Sequence, residues 1–147
     1  MIQIISWGLT VVLAAIAALH FYWAFGGLWP AANEPALVRT VIGNGGRTRM
    51  PPVWMTLVVA VLILGIAAWP LLLSGVAGDL GGTPLMVAGS ALLTVVFVLR
   101  GIAGYIPAWR HIHSAEPFAR LDRTRYSPLC LLLGAGFLIL TLKEGGI

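Results

Sequence analysis

Four stretches of this sequence contain no charged residue: 1–33, 50–78, 80–99 and 126–142. An α-helix needs about 20 predominantly apolar residues to cross the hydrocarbon core of a bilayer, within a range of about 17–25. The gaps therefore predict an all-α, integral membrane four-helix bundle, with spans at approximately 3–28, 53–75, 84–106 and 126–143. A membrane β-barrel would instead show short alternating segments. Charged residues make up only 10% of the chain and the mean hydropathy is +0.95. A soluble domain carries about 25% charged residues, and disorder requires low hydrophobicity with high charge. Both alternatives are excluded, and residues 1–147 read as a single transmembrane domain.

Turn-forming residues divide the chain in the same places. Gly26, Gly27 and Pro30 close the first span, and Pro51 and Pro52 precede the second. Gly78, Gly81, Gly82 and Pro84 make a tight connection into the third. Pro107 and Pro117 break the chain after it, and Pro128 falls in the first turn of the fourth, where a missing N–H costs nothing. Pro70 predicts a kink or early unwinding of the second span. The first span has no positive n-region and is longer than a signal-peptide core, so it is expected to remain in the membrane.

The arginines set the orientation. Arg39, Arg47 and Arg49 lie between spans one and two, and Arg110, Arg120, Arg123 and Arg125 between spans three and four. Only Lys143 stands opposite, beside Glu144, with the single acid Asp79 in the short loop. The positive-inside rule makes the arginine side cytoplasmic and puts both termini on the non-cytoplasmic side. The net charge of +4 is explained by these loops, so no nucleic acid partner is implied. Membrane lipids are the expected partners, with anionic headgroups near residues 120–125.

Small residues recur along the spans, among them Ala14, Ala17, Gly65, Gly89, Gly101, Gly104, Gly134 and Gly136. Close helix approach in lipid depends on such residues, either within one bundle or in a homo-oligomer. Trp7, Trp29, Trp54, Trp69 and Trp109 fall near span ends, as an aromatic belt does. Trp23 is different, lying inside the first span beside His20.

Two ionisable residues fall within the predicted spans: His20 in the first and Arg100 in the third, both in the cytoplasmic half. An arginine at mid-span costs about 2.5–3.5 kcal/mol on insertion scales, less if it snorkels. The ordinary reading is a snorkelling or structurally bonded arginine and a satisfied histidine. The functional reading is a cytoplasm-facing pocket lined by His20, Trp23, Arg100, Tyr105 and Tyr126, which would bind a small amphipathic or anionic ligand. Helical spacing adds Gly27 to the face of His20, and Gly104 and Pro107 to that of Arg100. A second reading is a membrane enzyme acting on a lipid or isoprenoid with His20 as general acid/base. It requires His20 to face an open cavity, and fails if the ring faces lipid or is committed to a backbone carbonyl. A third is a transporter or channel subunit, which needs a polar path through both leaflets.

The segment 107–128 reads as a salt-bridged interfacial loop, with Asp122 pairing with an arginine and Ser127 or Thr124 capping the fourth helix. His111 and His113 form an H-x-H pair but lack further ligands, so no metal site is assigned. Haem would need a second histidine facing His20 at the same depth, and no cofactor is assigned. The lone Cys130 excludes an internal disulfide and thiol-redox chemistry of the C-x-x-C kind. No acid lies mid-span, which argues against a small proton-coupled exporter, and no P-loop, H-E-x-x-H or G-x-S-x-G sequence is present.

Residues 20–30 (HFYWAFGGLWP), 100–105 (RGIAGY) and 117–130 (PFARLDRTRYSPLC) are similar to the signatures of a bacterial family of small four-helix membrane proteins of unknown function. The resemblance covers nearly the whole chain. It implies the four-span architecture and residence in a bacterial cytoplasmic membrane, and it brings no established reaction or cofactor.

Overall fold

A computed structural model describes residues 1–78 and 82–146. Four long helices carry the charge-free stretches: α1 (Ile2–Ala24), α3 (Val53–Leu73), α4 (Pro84–Ala103) and α7 (Ser127–Glu144). Three short ones lie between them: α2 (Glu34–Val41), α5 (Pro107–Ile112) and α6 (Phe118–Leu121). All four long segments are long and apolar enough to span a membrane. No strand occurs among the described residues. Asp79 and Gly81 of the short connection lie outside the described residues.

The helices associate as two antiparallel pairs, α1 with α3 and α4 with α7. In the first pair Ala17 and Ala60 are buried where the backbones approach, and the Thr10 hydroxyl donates to the Ala67 carbonyl at 2.8 Å. In the second, Gly101 receives the Leu131 side chain, and a Cβ on Gly134 would press on the Val98 side chain. Small residues thus do the work that lipid cannot, because hydrocarbon gives no hydrophobic drive for helix association. The Thr141 hydroxyl bonds Ser90 Oγ and the Phe137 carbonyl at 2.8 Å each, closing a polar patch that has no water to satisfy it. The two pairs meet through one apolar core of Leu9, Leu13, Ala67, Leu73, Met86, Leu133, Phe137 and Leu140. Large apolar side chains on the outer faces, such as Val11, Leu62, Leu92 and Leu132, are exposed for contact with lipid.

The boundaries differ from the sequence reading where local chemistry intervenes. Helix α1 stops at Ala24 rather than residue 28, because Gly26 (φ +86°) turns left-handed and Gly27 N–H bonds the Tyr22 carbonyl in a Schellman cap. Pro70 does not end α3, which runs one further turn to Leu73. Of the belt tryptophans, Trp69 is tied inward, its indole N–H donating to the Met86 carbonyl at 3.3 Å.

The largest departure is at 107–128, which is mostly helical, with only residues 113–117 as a loop between α5 and α6. Helix α6 runs without interruption into α7 through a π-helical turn, Asp122–Tyr126. Pro128 lacks the N–H that an α-helix would use there, and the chain passes it by widening: Ser127 N–H bonds the Asp122 carbonyl, five residues back. With no free N-terminus at α7 there is nothing to cap. Thr124 Oγ1 instead returns to the Arg120 carbonyl, and Ser127 Oγ turns to the Asp122 carboxylate.

Gly104 lies where that turn packs on α4. A Cβ there would overlap Ser127 Oγ and come within 2.9 Å of Asp122 Oδ2. Gly104→Ala is expected to lower the melting temperature in detergent by the equivalent of about 1–3 kcal/mol of overpacking. Gly65→Ala, which meets nothing within 4 Å, is expected to leave it unchanged.

Candidate functional site

The intramembrane arginine is neutralised within the chain. Arg100 Nη2 donates to Asp122 Oδ1 at 2.6 Å, and the Trp109 indole N–H donates to Asp122 Oδ2 at 3.0 Å. The Arg100 guanidinium lies 4.9 Å from the centre of the Trp109 ring. Asp122 is 3% exposed, so its carboxylate is stable as an anion only with these donors around it. The π turn brings Asp122 to face α4, and the first turns after α4 bring Trp109 back over it. The expected pairing of Asp122 with an arginine is present, and the partner is the intramembrane Arg100.

An aromatic stack extends from this pair. Trp109 stacks on His113 with centroids 4.1 Å apart, and Phe118 touches both His113 and Tyr126 at 5.8 and 5.7 Å. Phe118 also fills the space over Gly43 (φ +75°), where any Cβ would collide with its ring. Ala115 N–H bonds the Gly43 carbonyl at 3.2 Å and Tyr126 Oη donates to the Thr40 carbonyl at 3.2 Å. These contacts join the connection between α1 and α3 to the one between α4 and α7. The Tyr105 hydroxyl is likewise spent, donating to the Arg123 carbonyl at 3.1 Å.

His20 and Trp23 lie elsewhere. With Val41 of α2, Ile42, Met50 and Pro51 of the connection, and Trp54, Thr56 and Val59 of α3, they line a cavity of about 330 Å³. A second cavity of about 580 Å³ adjoins it, sharing Trp23, Met50, Pro51 and Thr56 and adding Gly27 and Glu34. Together they form a groove at one end of the α1–α3 pair, roofed by α2. Asn33 Oδ1 caps α2 by accepting from Ala36 N–H at 3.0 Å, and Glu34 Oε1 accepts from Met50 N–H at 2.9 Å. Both bonds hold α2 and the 42–52 connection against the groove. The Trp23 indole donates to the Trp29 carbonyl at 2.8 Å, which fixes that wall.

The five residues proposed to share one pocket are therefore divided. The structure brings His20 and Trp23 together, with ring centroids 5.1 Å apart. It places Arg100, Tyr105 and Tyr126 in the Asp122 cluster, and none of the three lines either cavity. Equal depth in the bilayer did not bring them to one face, because α1 pairs with α3 rather than with α4. His20 Nδ1 lies 2.8 Å from the Ile16 carbonyl and donates to it, so one of its two ring nitrogens is committed to the backbone. His113 bonds the Trp109 carbonyl within its stack and His111 is exposed. Sequence reasoning missed Met50, Trp54 and Thr56. Thr56 carried a signal, as the one hydroxyl residue in the apolar stretch 53–73.

The family model described as "Protein of unknown function (DUF3995)" matches residues 2–137, and the chain belongs to that family. Neither the curated proteins nor the solved structures contain a match to it.

Breaking the Arg100–Asp122 pair leaves a charge without its partner. Asp122→Leu is expected to cost about 3 kcal/mol, toward the lower end for a buried pair because the Arg100 side chain is 30% exposed. The double variant Arg100→Met/Asp122→Leu is expected to recover most of that loss. Detergent melting curves of the two single variants and the double variant measure the coupling.

Proposed function

We propose that this member of an uncharacterised membrane family is a binding protein, whose groove between α1, α2 and α3 takes a small amphipathic molecule from the membrane. The observation that carries this reading is a cavity with tryptophan and aliphatic walls and very few polar groups, positioned at the end of two spans. Ligand sites are typically concave and apolar, with a small number of polar groups that fix orientation. The anionic alternative loses its support. Arg100 Nη2 is paired with Asp122, its buried Nη1 faces neither cavity, and no lysine or arginine lines either one.

In the membrane the groove opens toward the cytoplasm. It lies at the end of the bundle that carries seven arginines, namely Arg39, Arg47, Arg49, Arg110, Arg120, Arg123 and Arg125. Both termini then lie on the non-cytoplasmic side of a bacterial cytoplasmic membrane.

Native mass spectrometry from mild detergent is expected to show an adduct of lipid size on the wild-type chain. Ile42→Trp places a large ring in the cavity from the end of α2, outside the α1–α3 interface, and is expected to abolish the adduct. Equal adducts on both proteins would sink the groove reading. For orientation, alkaline phosphatase fused after Gly146 is expected to be active and the same enzyme inserted after Asn44 inactive.

A further inference from the structure

We infer that the molecule held in this groove carries an uncharged hydroxyl at its polar end, as a long-chain alcohol does. The inference rests on the groove reading above and narrows its ligand class. Besides the indoles of Trp23 and Trp54, two polar side chains line the smaller cavity, and their hydrogen-bonding states differ in a way that selects the head group.

His20 offers an acceptor. A carbonyl oxygen can only accept, so the 2.8 Å contact with the Ile16 carbonyl places the proton on Nδ1. With the ring neutral, Nε2 carries a bare lone pair, on the ring edge away from the bonded Nδ1. No second hydrogen bond to His20 occurs among the described residues.

Thr56 offers a hydroxyl. It is 7% exposed and lines both cavities, yet its Oγ1 has no hydrogen-bond partner among the described residues. Every other serine and threonine in the four spans is satisfied. Ser6 bonds the Ile2 carbonyl, Thr10 that of Ala67, Ser90 that of Phe137 and Thr94 that of Ser90. Ser127 bonds Asp122, and Thr141 bonds both Ser90 and Phe137. The residue is mostly buried but its Oγ1 is not sealed from the cavities it lines, so Thr56 offers a hydrogen-bonding position that a ligand atom can complete.

A ligand hydroxyl matches both groups at once, donating to His20 Nε2 and accepting from Thr56 Oγ1. A carboxylate or phosphate would face the His20 lone pair with no cation among the lining residues, and with Glu34 in the adjoining cavity. An ether or ester gives Nε2 nothing to accept. An ammonium has no acceptor for the Thr56 proton, and loses its hydration in an apolar groove. The alkyl chain lies along Trp23, Trp54 and Val59.

The test is competitive native mass spectrometry on the wild-type protein at pH 8, with four probes of one chain length: oleyl alcohol, oleyl methyl ether, oleate and oleylamine. Oleyl alcohol is expected to bind about tenfold tighter than the ether, as one to two hydrogen bonds provide, and tighter than oleate and oleylamine. His20→Phe is expected to bring the alcohol-to-ether ratio toward one, whereas the near-isosteric Thr56→Val is expected to weaken alcohol and ether alike, because both oxygens accept from its hydroxyl. Retained ether binding in His20→Phe reports an intact groove, and the wild-type series decides even if a variant fails to fold. Equal binding of all four probes, or a preference for oleate or the amine, overturns the hydroxyl inference and leaves the groove reading standing. Binding of none overturns both.

Discussion

At Asp122 a buried carboxylate accepts from three donors carried by separate parts of the chain: Arg100 at the end of α4, Trp109 in α5 and Ser127 at the start of α7. Each component needs the others. Arg100 at this depth would be expensive without an anion, and Asp122 at 3% exposure would be more so without a cation. The π turn makes the meeting geometrically available, because the widened backbone that accommodates Pro128 also turns Asp122 toward α4. Gly104 leaves the room in which the three groups converge.

The same cluster holds the two halves of the molecule in register. The ring series Trp109, His113, Phe118 and Tyr126 leads from the ion pair to Gly43 and Thr40. Those residues lie at the end of α2, which roofs the groove. The arginine that composition singles out is thus a structural element of the α4–α7 half. The groove belongs to the α1–α3 half and is steadied from outside by these contacts.

The polar groups within the spans fall into two kinds. Most are closed on themselves, as in the Ser90–Thr141 patch, which is what hydrocarbon demands; the Asp122 cluster is closed except at Arg100 Nη1, which is buried without a partner among the described residues. His20 Nε2 and the Thr56 hydroxyl are open, and both line one cavity. That contrast, more than the cavity itself, directs attention to the groove.

Much of the architecture was legible in the sequence. Four charge-free stretches of spanning length leave backbone hydrogen bonding no option in lipid other than helices, and small residues mark where those helices approach. Which face of each helix meets which neighbour was not legible. Spacing placed His20 and Arg100 at equal depth, but depth carries no azimuth, and the pairing of α1 with α3 sent them to different sites. The π turn was hidden because Pro128 reads equally as the first turn of a new helix. Thr56 was an isolated hydroxyl until tertiary structure showed that none of the described residues answers it. The sequence by itself therefore determined that the chain spans a membrane four times, through the cost of bare backbone and charge in hydrocarbon. Only the tertiary structure decided that Arg100 is answered by Asp122 while His20 and Thr56 are left open, because hydrogen bonds depend on rotation and contact that a linear pattern does not encode.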